Sequence, residues 1–78
     1  MRVYVLLAEG FEEIEALTPV DYLRRVGVEV LTLSCGQSLS VCGAHKISVV
    51  ADMMVDEALN CDASVDGVVV PGGMPGAA

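Results

Sequence analysis

VDGVVVPGGMPGAA, residues 65–78, decides the fold. Val68, Val69 and Val70 make a continuous apolar run, with Asp66-Gly67 ahead of it and Pro71-Gly72-Gly73 behind. A short β-branched run bounded by turn residues predicts a buried strand. Burial on both faces would make it a central strand of a parallel sheet. Open α/β sheets bind ligands just beyond the carboxyl ends of such strands. Pro71-Gly72-Gly73 falls at that place, where glycines let backbone N–H groups come close to a ligand. The segment is expected to be the front part of a site whose remainder lies in polypeptide beyond Ala78.

Working outward, Val3–Ala8 is a second all-apolar run and again predicts a buried parallel strand. Glu9-Gly10 turns the chain into a helix predicted over 11–26. Glu12, Glu13 and Glu15 crowd its first turns, where negative charge meets the positive end of the helix dipole. Arg24 and Arg25 in the last turn, with Gly27 after them, mark its end. Pro19 either kinks this helix or restarts it, with Thr18 as N-cap and Asp21 at the capping-box position. The apolar positions (Phe11, Ile14, Ala16, Leu17, Val20, Leu23, Val26) do not fall on one narrow stripe. That spread suits a helix covered by its own sheet on one side and by something else, such as a partner subunit, on the other. Val28–Leu33 predicts the next strand and completes a β-α-β unit. Ser40-Val41-Cys42 and Ile47–Val50 predict a hairpin around Gly43-Ala44, placed at an edge, and Asp56–Asn60 a short helix.

Seventy-eight residues make at most one small domain, with a modest core of its own. Yet 54% of the chain is hydrophobic, which implies surface meant to be covered by more polypeptide. A net charge of -7, with only four Lys and Arg, argues against nucleic acid and anionic membrane surfaces as partners. No apolar run approaches a transmembrane length, and the start is a strand and not a signal peptide. Three cysteines without a C-x-x-C pair favour a reducing cytoplasm over a disulfide scaffold.

Glu15 is the first candidate for chemistry. It closes an acidic cluster that a helix start would simply present to solvent. It also shares a helical line with Phe11, Thr18 and Tyr22, close to the carboxyl end of the first strand and on the same sheet edge as Gly72 and Gly73. A carboxyl half-buried there could keep a proton near neutral pH and donate a hydrogen bond. Gly72 and Gly73 are consistent with a strand-ending turn, an oxyanion hole or an anion nest. They are neither a P-loop nor a dinucleotide fingerprint, and no cofactor is implied. His45, the single histidine, is placed on the surface. With Cys42 it offers too few ligands for a metal. Cys35 and Cys42 are expected to be buried small hydrophobes, and Cys61, beside Asp62, is a poor thiolate.

AEGFEEIEALTPVDYLRRVGVEV at 8–30 and DGVVVPGGMPGA at 66–77 together resemble the ThiJ/PfpI superfamily, in the branch that contains the parkinsonism-associated deglycase. The resemblance runs along the whole chain, the hairpin and the D-x-x-x-D-E-A segment at 52–58 included. It implies a flavodoxin-like, Rossmann-like three-layer α/β sandwich, of which residues 1–78 are the N-terminal part. It implies a homodimer through the first helix. It also implies a cofactor-independent site: an elbow cysteine, a glutamate matching Glu15 bonded to it, and backbone amides matching Gly72 and Gly73 facing an oxyanion. The elbow cysteine would follow one more helix and strand, and none of Cys35, Cys42 or Cys61 stands in its place. His45 does not match the family's active-site histidine either. The chain is therefore expected to be a fragment, inactive alone, whose partner is the C-terminal remainder of the same protein. The implied substrates are small aldehydes or reactive dicarbonyls and their adducts, turned over by glyoxalase-type or deglycase-type chemistry. A non-catalytic redox sensor or chaperone of the same fold is the alternative. A class I glutamine amidotransferase-like domain, which also carries a PGG-like turn, ranks last.

Overall fold

The computed structural model describes residues 1–60 and 64–72. Its elements are β1 (Arg2–Leu7), α1 (Glu13–Arg25), β2 (Glu29–Ser34), β3 (Ser40–Cys42), β4 (Ser48–Val50), β5 (Met53–Met54), α2 (Val55–Leu59) and β6 (Gly67–Val69). Four strands form one parallel sheet in the order β5-β2-β1-β6, and β3 and β4 form a separate antiparallel hairpin.

Strand periodicity divides the core in two. Val3, Val5 and Leu7 face one way, and with Val30 they pack against Phe11, Ala16 and Val20 from the α1 side. Val41 of β3 and Ala51, just past β4, close the same cluster. Tyr4 and Leu33 face the other way and pack with Ala58 of α2. Helices thus cover both faces, which is the α/β sandwich expected.

The first helix is one continuous element through Pro19, so it does not restart there. Proline has no N–H, so the carbonyl of Glu15 loses its usual partner four residues on. Glu12 is the N-cap, its carboxylate accepting from the Ile14 N–H at 3.3 Å. At the other end the Gly27 N–H donates to the Arg24 carbonyl and the Val28 N–H to the Leu23 carbonyl, a Schellman closure with Gly27 at φ 88°. Phe11, expected inside the helix, precedes it. Its ring is 1% exposed, and its carbonyl accepts the Ala44 N–H at 2.8 Å.

Three expectations are corrected. The run at 68–70 is not buried on both faces: β6 pairs only with β1 among the described residues, and Val68 and Val70 are 54% and 64% exposed. The five-residue α2 is too short to extend over it. The hairpin does not extend the sheet but folds back over the α1-side core. Cys35 is exposed and Cys42 half-buried, because Cys35 sits past the end of β2 and not within it.

Candidate functional site

The path of the chain makes a crevice. It leaves β1 for β2 on one side, then returns to pair β6 on the other side of β1. Connections diverge where strand order reverses, so the loops after β1 and β6 part at their carboxyl ends. Residues 8–12 form one wall and residues 70–72 the other.

Two hydrogen bonds join these walls. The Glu12 N–H donates to the Gly72 carbonyl at 2.7 Å. The Gly72 N–H donates to Oε1 of Glu15, also at 2.7 Å. A Cβ on residue 72 would lie 2.6 Å from that Oε1, so any other residue would push the Glu15 carboxylate aside. The structure therefore brings Glu15 and Gly72 together, as their positions in the sequence suggested. Glu15 is exposed and not half-buried, and in this contact it accepts a hydrogen bond. Gly73 and Cys61 lie outside the described residues.

Glu13 was not singled out, yet it is the buried acid of this region. It is 4% exposed and accepts from the His45 N–H at 2.7 Å and the Ile47 N–H at 3.4 Å. The Nδ1 of the His45 ring lies 2.8 Å from its other oxygen. Burial pushes the Glu13 carboxyl up, but the His45 ring and the backbone amides outweigh it and hold the group at about 2. His45 is raised, first by its bond to Glu13 and then by the charge of Glu12, whose carboxylate is 3.9 Å away. The ring itself is on the surface, 68% exposed, as expected, but it is paired. A Cβ on Gly43 would overlap the Glu13 carboxylate, so glycine lets the turn backbone sit directly on the acid. Lys46 takes φ 66° to complete that turn.

The ligand atoms of Glu12, Glu13 and His45 lie within 4.8 Å of one another. The Glu13 oxygens are already filled by three donors from the turn, so the group is a closed hydrogen-bond set and not a ready metal cage. No helix among the described residues is long and apolar enough to cross a membrane.

Comparison with known proteins identifies the family and the fold. The model of the DJ-1/PfpI family matches residues 1–78. Protein DJ-1 homolog B of Arabidopsis thaliana is 40% identical over 76 residues, which is 97% of this chain and 17% of that protein. A deglycase of Pyrococcus abyssi is 37% identical over 73 residues, 94% of this chain and 42% of its own length. Among solved structures, oxidized Toxoplasma gondii DJ-1 superposes with a TM-score of 0.90 at 37% identity, over 96% of this chain and 40% of that one. A DJ-1 superfamily protein of Salmonella typhimurium gives 0.89 at 47% identity, over the same two shares. The chain spans less than half the length of each of these relatives.

Proposed function

The chain belongs to the DJ-1/PfpI family, and from that premise we propose that it supplies the acid and backbone-amide side of a cofactor-independent cysteine site. That site acts on reactive dicarbonyls or their adducts. The observation that carries the reading is the 2.7 Å bond from the Gly72 N–H to Glu15, across the crevice where the strand order reverses. The deglycase name of the Pyrococcus abyssi relative supports the substrate class. The nucleophile comes from polypeptide outside these residues.

The chemistry follows from one amide and one carboxylate. A thiol approaching Glu15 gives its proton to the carboxylate, and the thiolate adds to an aldehyde carbon to form a hemithioacetal. Protonation makes Glu15 a weaker acceptor, which frees the Gly72 N–H to turn toward the oxygen that has gained negative charge. Glu15 then returns the proton to that oxygen. The addition balances as written, and release of a hydroxy acid from the adduct takes up one water. In the native protein that carries this chain, Glu15→Gln is expected to lower methylglyoxal turnover by about 10²-fold or more. Unchanged turnover would refute the role. The oxidized state of the Toxoplasma gondii neighbour favours one second reading, a redox-sensing protein with no turnover. Peroxide would then add mass to one cysteine, with no dicarbonyl consumed.

We also propose a homodimer through α1, in a reducing compartment such as the cytoplasm. Ile14, Tyr22 and Ile47 are 73%, 66% and 53% exposed and line a groove of about 450 Å³ with Leu17, Thr18 and Asp21. Sedimentation equilibrium is expected to give twice the protomer mass, and a monomer at every concentration sinks the proposal.

A further inference from the structure

Glu13 is the one charged side chain among the described residues that is buried, and the proposed chemistry does not use it. Its three donors all come from the hairpin turn: the His45 N–H, the His45 ring and the Ile47 N–H. The turn is fastened to the same helix start by main-chain bonds as well, Ala44 N–H to the Phe11 carbonyl and Gly10 N–H to the Cys42 carbonyl. On the other side, Glu12 and Glu15 hold the carbonyl and the N–H of Gly72. Residues 13 and 15 are two apart, so their side chains leave a helix in nearly opposite directions. The first turn of α1 is thus gripped from two sides, by the hairpin at Glu13 and by the β6 loop at Glu15. It cannot rotate about its axis without stretching one grip.

We propose that Glu13 is a positioning residue: by anchoring the first turn of α1 to the turn at 43–47, it sets the angle at which Glu15 meets the Gly72 N–H. This deepens the functional reading above and rests on it. Glu13 touches no substrate; its effect reaches the site through the helix. A set point of this kind also couples Gly72 to the protonation of His45, because the ring is one of the donors that hold Glu13. The charged groups that face the ring are Glu12 and Glu13 from α1, with Lys46 beside it in the turn. Glu9 reaches the same hairpin through the Cys42 N–H at 3.2 Å.

The test is amide exchange and pH titration by NMR on the native protein that carries this chain, comparing wild type with Glu13→Gln and His45→Asn. In Glu13→Gln the Gly72 amide is expected to exchange roughly five- to tenfold faster, the scale of one weakened hydrogen bond. In wild type its shift follows the His45 ring titration. In His45→Asn, which keeps a donor but cannot titrate, protection at Gly72 is retained and the pH dependence disappears. If Gly72 keeps its protection in Glu13→Gln while the His45 and Ile47 amides lose theirs, Glu13 is only a staple for the hairpin and the proposal is overturned. A Gly72 shift indifferent to the His45 titration overturns it as well, and does so even if Glu13→Gln fails to fold. None of these readouts measures turnover, so their failure leaves the Glu15→Gln assay to stand or fall separately.

Discussion

The two faces of the sheet are finished to different degrees. On the α1 face, Val5, Leu7 and Ala16 are 0% exposed and Phe11 1%, and the hairpin seals the cluster at Val41 and Ala51. On the α2 face, Tyr4 and Leu33 are buried, but Val68, Val70 and Leu59 are 54%, 64% and 79% exposed. A 13-residue helix with a carboxylate-capped start and a Schellman end covers one face, and a five-residue helix covers part of the other. The crevice lies on the seam between them. Its acid, Glu15, stands on the finished side, while its amide, Gly72, lies in the loop after β6. Under the proposed function, the acid stands on a rigid element and its partner on a loop, a division of labour common in sites positioned by a scaffold.

The largest expected effect would break that contrast if it failed. Phe11→Ala removes a fully buried ring from the sealed face and is expected to cost about 3–5 kcal/mol in urea unfolding. That is a large share of the stability of 78 residues, which at ordinary values per residue is about 4–12 kcal/mol. Val68→Thr, on the open face, is expected to stay within about 0.5 kcal/mol of wild type. Equal losses at the two positions would mean that the open face is already covered in solution.

Much of this was legible in the residues. The apolar runs gave β1, β2 and β6 within a residue or two, and Gly27 after paired arginines gave the end of α1. Glu15 and Gly72 could be placed near each other because both follow the carboxyl ends of strands, on one sheet edge. Three features were hidden for physical reasons. Burial of β6 depends on how many neighbours cover it, which a valine run does not encode. β5 is two methionines long, too short for any period. The Glu13–His45 pair joins residues 32 apart, through a turn that needs Lys46 at positive φ. The signal that could have found it is Gly43, two residues before the single histidine, where a carboxylate needed room.

The smaller effect sharpens the contrast, because the grip on the α1 side is electrostatic and so titrates. Glu13 is held at about 2 in the folded chain, below its ordinary value of 4.5. Its contribution is therefore complete above the ordinary carboxylate range and is lost as pH falls through that range toward 2. His45 is raised above its ordinary 6.5. Its contribution is complete below 6.5 and is lost as pH rises through the raised value. Thermal midpoints should thus be highest between these two ranges and fall on both sides. In Glu13→Gln both slopes should flatten, the acid one most, since the titrating carboxyl itself is gone while the ring keeps the charge of Glu12. The exposed ring tempers the alkaline slope, because solvent screens a surface imidazole more than the buried acid beneath it. Hydrogen exchange resolves where the loss occurs. On the acid side the amides of His45 and Ile47 should open before those of the β1–β2 ladder, which no carboxylate of this cluster holds. If ladder and hairpin open together at every pH, the two sides are one cooperative unit, and the grip at Glu13 does not stand apart from the core beneath it.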